Sequence, residues 1–304
     1  MSIGYSLFRF MYLSVFTKQI KKKDEKRLKR LTLPNDIDEY KYEEGNIRFL
    51  IHKRKNAKED YGILFDIHGG GFCYGDKELN RPFNMTMAEK GYTVISMDYR
   101  LVDKVHIKEQ VQDILDVMNY IHSNKEQLGL NFSKPVFLTG DSAGGMLSGV
   151  IVALSRSEYL QTIFDRKPRF GFEKLVLNHP VGYTSDVGSL YHIPGLKKKI
   201  SKWTSILLYG ENYKEDPVYQ NVSSFDSILN LAEFPKTLIV TSPNDKMFHP
   251  VSLRQKKALD QHHVENDIFI QHKKPNGHVF NIAEINSDSA KEANEKISDF
   301  LKSH

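Results

Sequence analysis

The chain has 304 residues, a formal net charge of +5 and one cysteine, Cys73. That length accommodates one large domain or two smaller ones and can bury a sizeable core without cross-links. A lone cysteine excludes an intramolecular disulfide and a cysteine-cluster zinc site, and it fits a reducing, cytoplasmic setting.

Residues 1–16 are apolar and aromatic, and residues 18–30 are strongly basic. A secretory signal carries its positive charge before the apolar stretch and a small-residue cleavage site after it. Here the order is reversed and no such site follows. Gly4 and Arg9 also break the stretch, which is too short for a confident span. The two parts together predict an amphipathic helix that covers part of the protein. Membrane-surface contact through its basic half is the alternative and is not favoured. No motif for reading nucleic acid accompanies the charge.

From Gly45 onward, strand and helix patterns alternate. Asn46 to His52 and Tyr61 to Ile67 read as strands, with the charged stretch 53–60 as a hairpin loop between them. Tyr92 to Met97 is another strand. Val111, Ile114, Leu115, Met118 and Ile121 recur at helical spacing. Val136 to Thr139, Leu175 to Asn178 and Leu238 to Thr241 are short apolar runs suited to strands buried on both faces. Asp267 to Gln271 suits a last strand and Ser289 to Leu301 a closing helix. This order predicts an α/β fold with a mostly parallel sheet between helices. Between Pro180 and Pro235 the rhythm stops. That insertion carries no sheet-like strand, has helical character from Leu196 to Tyr209, and is expected to cover a site or supply specificity.

Two glycine-rich segments carry the chemistry. The strand ending at Ile67 runs into His68-Gly69-Gly70-Gly71, a loop whose backbone N–H groups can converge on one point. The strand Val136 to Thr139 runs into Gly140-Asp141-Ser142-Ala143-Gly144-Gly145, followed by a small-residue helix. Strand, sharp turn and helix around G-x-S-x-G form a nucleophile elbow. Taken alone, the pattern also fits a helix N-cap serine or a phosphate site. No Lys-Ser/Thr pair follows the glycines, as a phosphate loop of the P-loop type would need. Cys73 reads as a packing residue.

The two segments in this order resemble the α/β-hydrolases, and more narrowly the hormone-sensitive-lipase-like esterases, whose HGGG and GDSAGG stretches both stand intact. Asp98-Tyr99-Arg100 extends the likeness. Leu101 to Lys104 and the stretch after Asp245 depart from the usual wording of that family. The resemblance implies one α/β-hydrolase domain over 1–304, with a helical cap drawn from 1–44 and from an insertion within 181–234. In this fold the acid and the histidine follow the serine in the chain. Asp245, just past the strand Leu238 to Thr241, is the expected acid. His278, in the loop after the last strand, is the expected base, with His272 as competitor. His249, His262 and His263 read as surface residues. Ser142 is then the nucleophile, and the N–H groups of Gly70, Gly71 and Ala143 form the oxyanion hole. His68 is expected to shape the glycine loop and Asp141 the elbow or its neighbouring loops. Asp98 and Arg100 are expected to be structural.

The resemblance implies hydrolysis of small, short-chain acyl esters with no metal or organic cofactor. A membrane-associated lipase, an amidase or peptidase on the same triad, and a non-catalytic binder stay open. Phe8, Phe10, Tyr12, Phe16, Tyr191, Trp203 and Tyr209 are candidates for an apolar acyl pocket and equally for ordinary packing.

Overall fold

The computed structural model describes residues 2–29, 34–56, 60–191, 193, 195–274 and 276–303. Arg30 of the basic run, the tip of the 53–60 stretch and the ends of the chain lie outside these. In chain order the described elements begin with α1 (Ile3–Phe10), a π-helical turn (Met11–Phe16) and α2 (Thr17–Leu28). Next come β1 (Ile37–Glu44), β2 (Ile47–Arg54), β3 (Ile63–Ile67), α3 (Arg81–Glu89), β4 (Thr93–Met97) and α4 (Ile107–Ser123). The centre holds β5 (Val136–Asp141), α5 (Ala143–Leu154), α6 (Glu158–Phe164) and β6 (Lys174–Asn178). A 3-10 turn (Thr184–Leu190), α7 (Lys197–Tyr209), α8 (Pro217–Val222) and α9 (Phe225–Leu229) follow. The chain closes with β7 (Lys236–Thr241), α10 (His249–Gln261), β8 (Asn266–Ile270), α11 (Phe280–Ala283) and α12 (Asp288–Lys302).

The eight strands form one sheet in the order β1-β2-β4-β3-β5-β6-β7-β8. The β1–β2 and β2–β4 pairs are antiparallel and the rest are parallel. The apolar runs are continuous because both faces are covered. Leu64, Phe137, Val176 and Leu238 face a core layer with Phe83 of α3 and Ile297 of α12. Their neighbours Phe65, Leu138, Leu175 and Ile239 face the opposite layer with Val111 of α4 and Val150 of α5. Full burial of one such aliphatic side chain contributes about 1.5–3 kcal/mol.

Two sequence expectations change here. The hairpin is β1–β2, turned at Gly45, whose φ of +56° suits a residue without a side chain. Residues 53–60 instead lead from β2 to β3, which are not neighbours, because β4 lies between them. Strand β1 escaped the sequence reading because it is an edge strand. It is mostly exposed and sets four acidic residues and Lys41 around Tyr40 and Tyr42.

The N-terminal helix lies across the body. Tyr12 Oη donates to the Gly71 carbonyl at 2.9 Å. Arg27 donates to the carbonyls of Leu79 (2.8 Å) and Ile282 (3.1 Å). Phe8 packs on Trp203 of α7 with ring centroids 5.7 Å apart. The π-helical turn has a purpose in this packing. Four residues of α-helix overshoot a full turn and four of π-helix fall short of one, so the mixture keeps Phe8, Tyr12, Phe16, Ile20 and Asp24 on one face. Phe8–Tyr12 and Tyr12–Phe16 stack at 5.7 and 5.5 Å. No helix among the described residues is long and apolar enough to cross a membrane.

At the C-terminal ends of β3 and β5, two carboxylates are buried together. Asn80 Nδ2 donates to Asp66 Oδ1 at 3.3 Å and to Asp141 Oδ1 at 2.7 Å. Burial, and then the nearby Asp141 charge, push the Asp66 carboxyl up to about 8. The unfolded carboxyl ionises near its ordinary 3.8. Between those values the folded state holds the extra proton, so this group's contribution to stability falls as pH rises. Asp66→Asn is expected to flatten that fall. Urea unfolding of parent and variant from acidic to mildly alkaline pH checks it; parallel stability profiles would refute it.

Candidate active site

The site sits where β3, β5, β6 and β7 end, as expected for a parallel sheet. Ser142 occupies the turn between β5 and α5 with φ 50° and ψ −117°. A side chain with positive φ is strained, and surrounding bonds must hold it. The Ser142 N–H donates to the Asn178 carbonyl at 2.9 Å, and its own carbonyl accepts from Val181 N–H at 2.8 Å. The helix can start this close to the sheet only because Gly144 lacks a side chain. A methyl group there would lie 2.0 Å from the Ile67 carbonyl oxygen.

His278 Nε2 is 3.0 Å from Ser142 Oγ, and His278 Nδ1 is 2.7 Å from Asp245 Oδ2. Serine, histidine and acid, chosen by their order along the chain, therefore meet in space. His272 is exposed just past β8 and takes no part in this set. His249 is half-buried and not a surface residue, with Nδ1 3.2 Å from Thr241 Oγ1.

A second histidine, absent from the sequence reading, joins the set. His179 Nδ1 lies 2.7 Å from the same Asp245 Oδ2. Its ring is fully buried and meets His278 edge-on at 5.6 Å. The backbone holds it at φ 46°, with its N–H on the Val240 carbonyl at 2.8 Å. Its position directly after the buried strand, at Asn178-His179-Pro180, was the available sequence signal.

The partners assign the protons. An ionised carboxylate only accepts, so both imidazoles present Nδ1–H to it, and His278 Nε2 keeps its lone pair toward Ser142. Burial opposes ionisation of Asp245. The two imidazole hydrogen bonds outweigh it and hold the carboxyl well below the ordinary range. Burial likewise pushes His179 down, so it stays neutral. These three groups also have ligand atoms within 4.8 Å of one another, the spacing a metal ion needs. Each imidazole spends its Nδ1–H on the shared carboxylate, so neither Nδ1 has a lone pair to offer an ion.

The glycine loop packs against the elbow. Asp141 Oδ1 accepts from Gly69 N–H at 2.9 Å, which ties the loop to the end of β5. Gly70 has φ +101°, and a methyl group there would lie 2.0 Å from the Tyr74 carbonyl oxygen. His68 Nδ1 bonds the Gly69 carbonyl at 2.8 Å, and its ring stacks on Tyr99 at 4.3 Å. Asp98 holds Lys77 and Arg48, and Arg100 forms a two-pronged pair with Asp113 at 2.8 and 2.7 Å. Gly70 and Gly71 face the same cavity as Ser142, and Ala143 opens α5 directly behind it. Cys73 is buried, which pushes its thiol up to about 12 and leaves it unreactive.

That cavity holds about 450 Å³ and exposes Ser142, Asp245 and His278 beneath a mostly apolar lining. Tyr12, Phe16 and Ile20 wall it from the N-terminal helix, with Leu190, Tyr191 and Leu208 from the 180–235 insertion. Of the seven aromatic candidates, Tyr12, Phe16 and Tyr191 line it. Phe8 and Trp203 pack on each other, Tyr209 bonds Thr184, and Phe10 faces solvent. A larger depression of about 950 Å³ lies near the opposite ends of β7 and β8, around Lys236 and Glu265. It brings together no serine, histidine and acid set of this kind.

The sequence profile of the alpha/beta hydrolase fold matches residues 64–280. An alpha/beta hydrolase of Acanthamoeba polyphaga mimivirus is 25% identical over 219 residues, 69% of this chain and 59% of that protein. An acetyl esterase of Salmonella schwarzengrund is 33% identical over 87 residues, 28% of this chain and 27% of that one. This chain thus matches less than two thirds of the length of each of these two relatives. Esterase B of Lactobacillus rhamnosis superimposes with a TM-score of 0.86 at 24% identity, covering 99% of this chain and 97% of that one. A second structure of that esterase, TM-score 0.85, is described as inhibited by a C4-C4 SN3 tributyrin phosphonate. With the profile spanning both glycine segments and the sheet between them, the chain belongs to the α/β-hydrolase family, as its likeness to the hormone-sensitive-lipase-like esterases implied.

Proposed function

We propose that the protein is a serine carboxylesterase acting on small esters with short acyl chains. The observation that carries this is Ser142 Oγ at 3.0 Å from an imidazole whose other nitrogen is fixed by a buried carboxylate, under an apolar cavity of about 450 Å³. Ser142 Oγ attacks the ester carbonyl as His278 Nε2 takes its proton. The N–H groups of Gly70, Gly71 and Ala143 receive the developing oxyanion. The alcohol leaves with the proton from His278. Water then adds to the acyl-serine while His278 again takes a proton, and the acid departs with Ser142 restored. Asp245 holds the imidazole orientation and offsets its transient positive charge.

In this reading the single domain carries a cap built from α1, the π-helical turn and α2 together with the insertion within 181–234; residues 37–44, assigned to the cap from the sequence, instead form β1 of the sheet. Tyr12 to Ile20 and Leu190 to Leu208 contribute the residues nearest the cavity. Cavity size favours small acyl groups. The tributyrin phosphonate named for the Lactobacillus esterase points the same way. A cytoplasmic site of action is part of the proposal and rests on the lone, buried Cys73.

Ser142→Ala is expected to lower ester turnover at least about 1,000-fold and to abolish labelling by a fluorophosphonate probe. Labelling that survives would move the nucleophile elsewhere. On a panel of esters of rising acyl length, rates should peak at acetyl to butyryl. A maximum at long chains, or no turnover at all, would sink the short-chain reading.

His179 acts through Asp245 as a positioning residue. His179→Leu removes one of the two imidazole donors to Asp245 and should lower kcat about tenfold, the worth of one charge-assisted hydrogen bond, with KM little changed. A carboxylate with one donor fewer is more basic, so the acidic limb of the rate profile should move to higher pH. His179→Asn, which can still donate, should restore part of both. Steady-state kinetics over pH check this; a variant that loses only thermal stability would leave His179 a packing residue.

A further inference from the structure

The N-terminal helix is apolar on two faces, and only one of them is used by the fold. Tyr5, Phe8 and Tyr12 turn inward. On the outer face Ile3, Leu7, Phe10 and Met11 are 90%, 59%, 61% and 53% exposed. Positions 3, 7, 10 and 11 follow helical spacing, so these side chains make one stripe. Among the described residues, six of the ten large exposed apolar side chains fall between Ile3 and Phe16. Single exposed apolar residues are ordinary, whereas a contiguous stripe marks a surface that meets something.

The charge beside it identifies the occupant. Lys18, Lys21 and Lys22 continue the same helix and are exposed. Helix α7, packed on α1 through Phe8 and Trp203, adds Lys197, Lys198, Lys199 and Lys202, all exposed. Of the acids on α2, Glu25 sits 3.9 Å from Lys21, and Asp24 turns inward to Arg27 at 3.3 Å. An apolar stripe flanked by basic side chains is the pattern of a helix lying in a membrane interface. A second copy of this chain fits less well, since a two-fold contact through the stripe would bring like-charged lysines together.

We infer that the outer face of the N-terminal helix, with the lysines of α7, docks on an anionic lipid surface. The helix lies in the headgroup plane and does not cross. Because Tyr12, Phe16 and Ile20 of the same helix wall the cavity, docking puts the cavity about one helix diameter, roughly 10 Å, from the lipid. An ester dissolved in a bilayer would then need only a short path to Ser142. The docking itself does not depend on the esterase reading.

Flotation of the full chain with vesicles tests it. Binding is expected to vesicles of phosphatidylcholine with phosphatidylglycerol, to weaken as salt is raised, and to be slight with phosphatidylcholine alone. Leu7→Glu combined with Phe10→Glu should reduce partitioning by about tenfold or more, with the circular dichroism melt unchanged. Turnover of a water-soluble ester should also be unchanged, because neither side chain lines the cavity. Lys198→Glu with Lys199→Glu should weaken binding at low salt. No binding to the anionic vesicles at low salt, or equal binding by the Leu7/Phe10 variant, would overturn the inference. So would a dimer, seen by light scattering, that this variant converts to monomers.

Discussion

The contact between the first turn of α5 and the end of β3 governs this site. Gly144 stands where any side chain would meet the Ile67 carbonyl oxygen. That closeness forces Ser142 into its positive-φ turn and brings the His68–Gly71 loop alongside it. The strain is held in place by neighbours on both sides, through the Asn178 carbonyl and the Val181 N–H. The proposed nucleophile and its proposed oxyanion donors therefore share one backbone contact. Their relative placement does not depend on flexible side chains.

Three buried aspartates at the strand ends show how environment assigns charge. Asp245 receives two imidazole N–H groups and stays ionised despite burial. Asp66 has only neutral amide partners, is buried beside a second carboxylate, and is pushed toward the protonated form. Asp141 spends one oxygen on Gly69 N–H and Asn80, which fixes the glycine loop to the elbow. The residue type is the same in each case. The donors within reach decide which one can balance a cationic imidazole. His179 matters for this reason: it is the second donor that keeps Asp245 ionised.

The N-terminal helix links the cavity to the outside. The π-helical turn keeps its aromatic face in register over the cavity, with Tyr12 fixed to Gly71 and Arg27 to Leu79 and Ile282. The remaining apolar residues of α1, Ile3, Leu7 and Phe10, point outward. One segment thus shapes the proposed acyl pocket and presents an apolar, basic-rimmed surface to solvent. The two roles ascribed to it, cover and lipid contact, were competing readings of the sequence. The packing lets one helix serve both on opposite faces.

The sequence alone determined the sheet's central strands and which candidate residues stand at their ends. Val136–Leu138, Leu175–Leu177 and Leu238–Val240 are apolar throughout because both sheet faces are covered, and that pattern is local. Ser142, Asp245 and His278 were legible because each follows a strand and stands in the chain order their fold requires. Strand order, the true partner of β2 and the edge strand β1 were not legible, since pairing across a sheet leaves no trace in a charged, half-exposed segment. His179 was hidden for a different reason. Nothing adjacent in sequence says that its ring will reach a carboxylate 66 residues away. Only the folded sheet, by setting the ends of β6 and β7 side by side, decided that Asp245 would have a second imidazole donor.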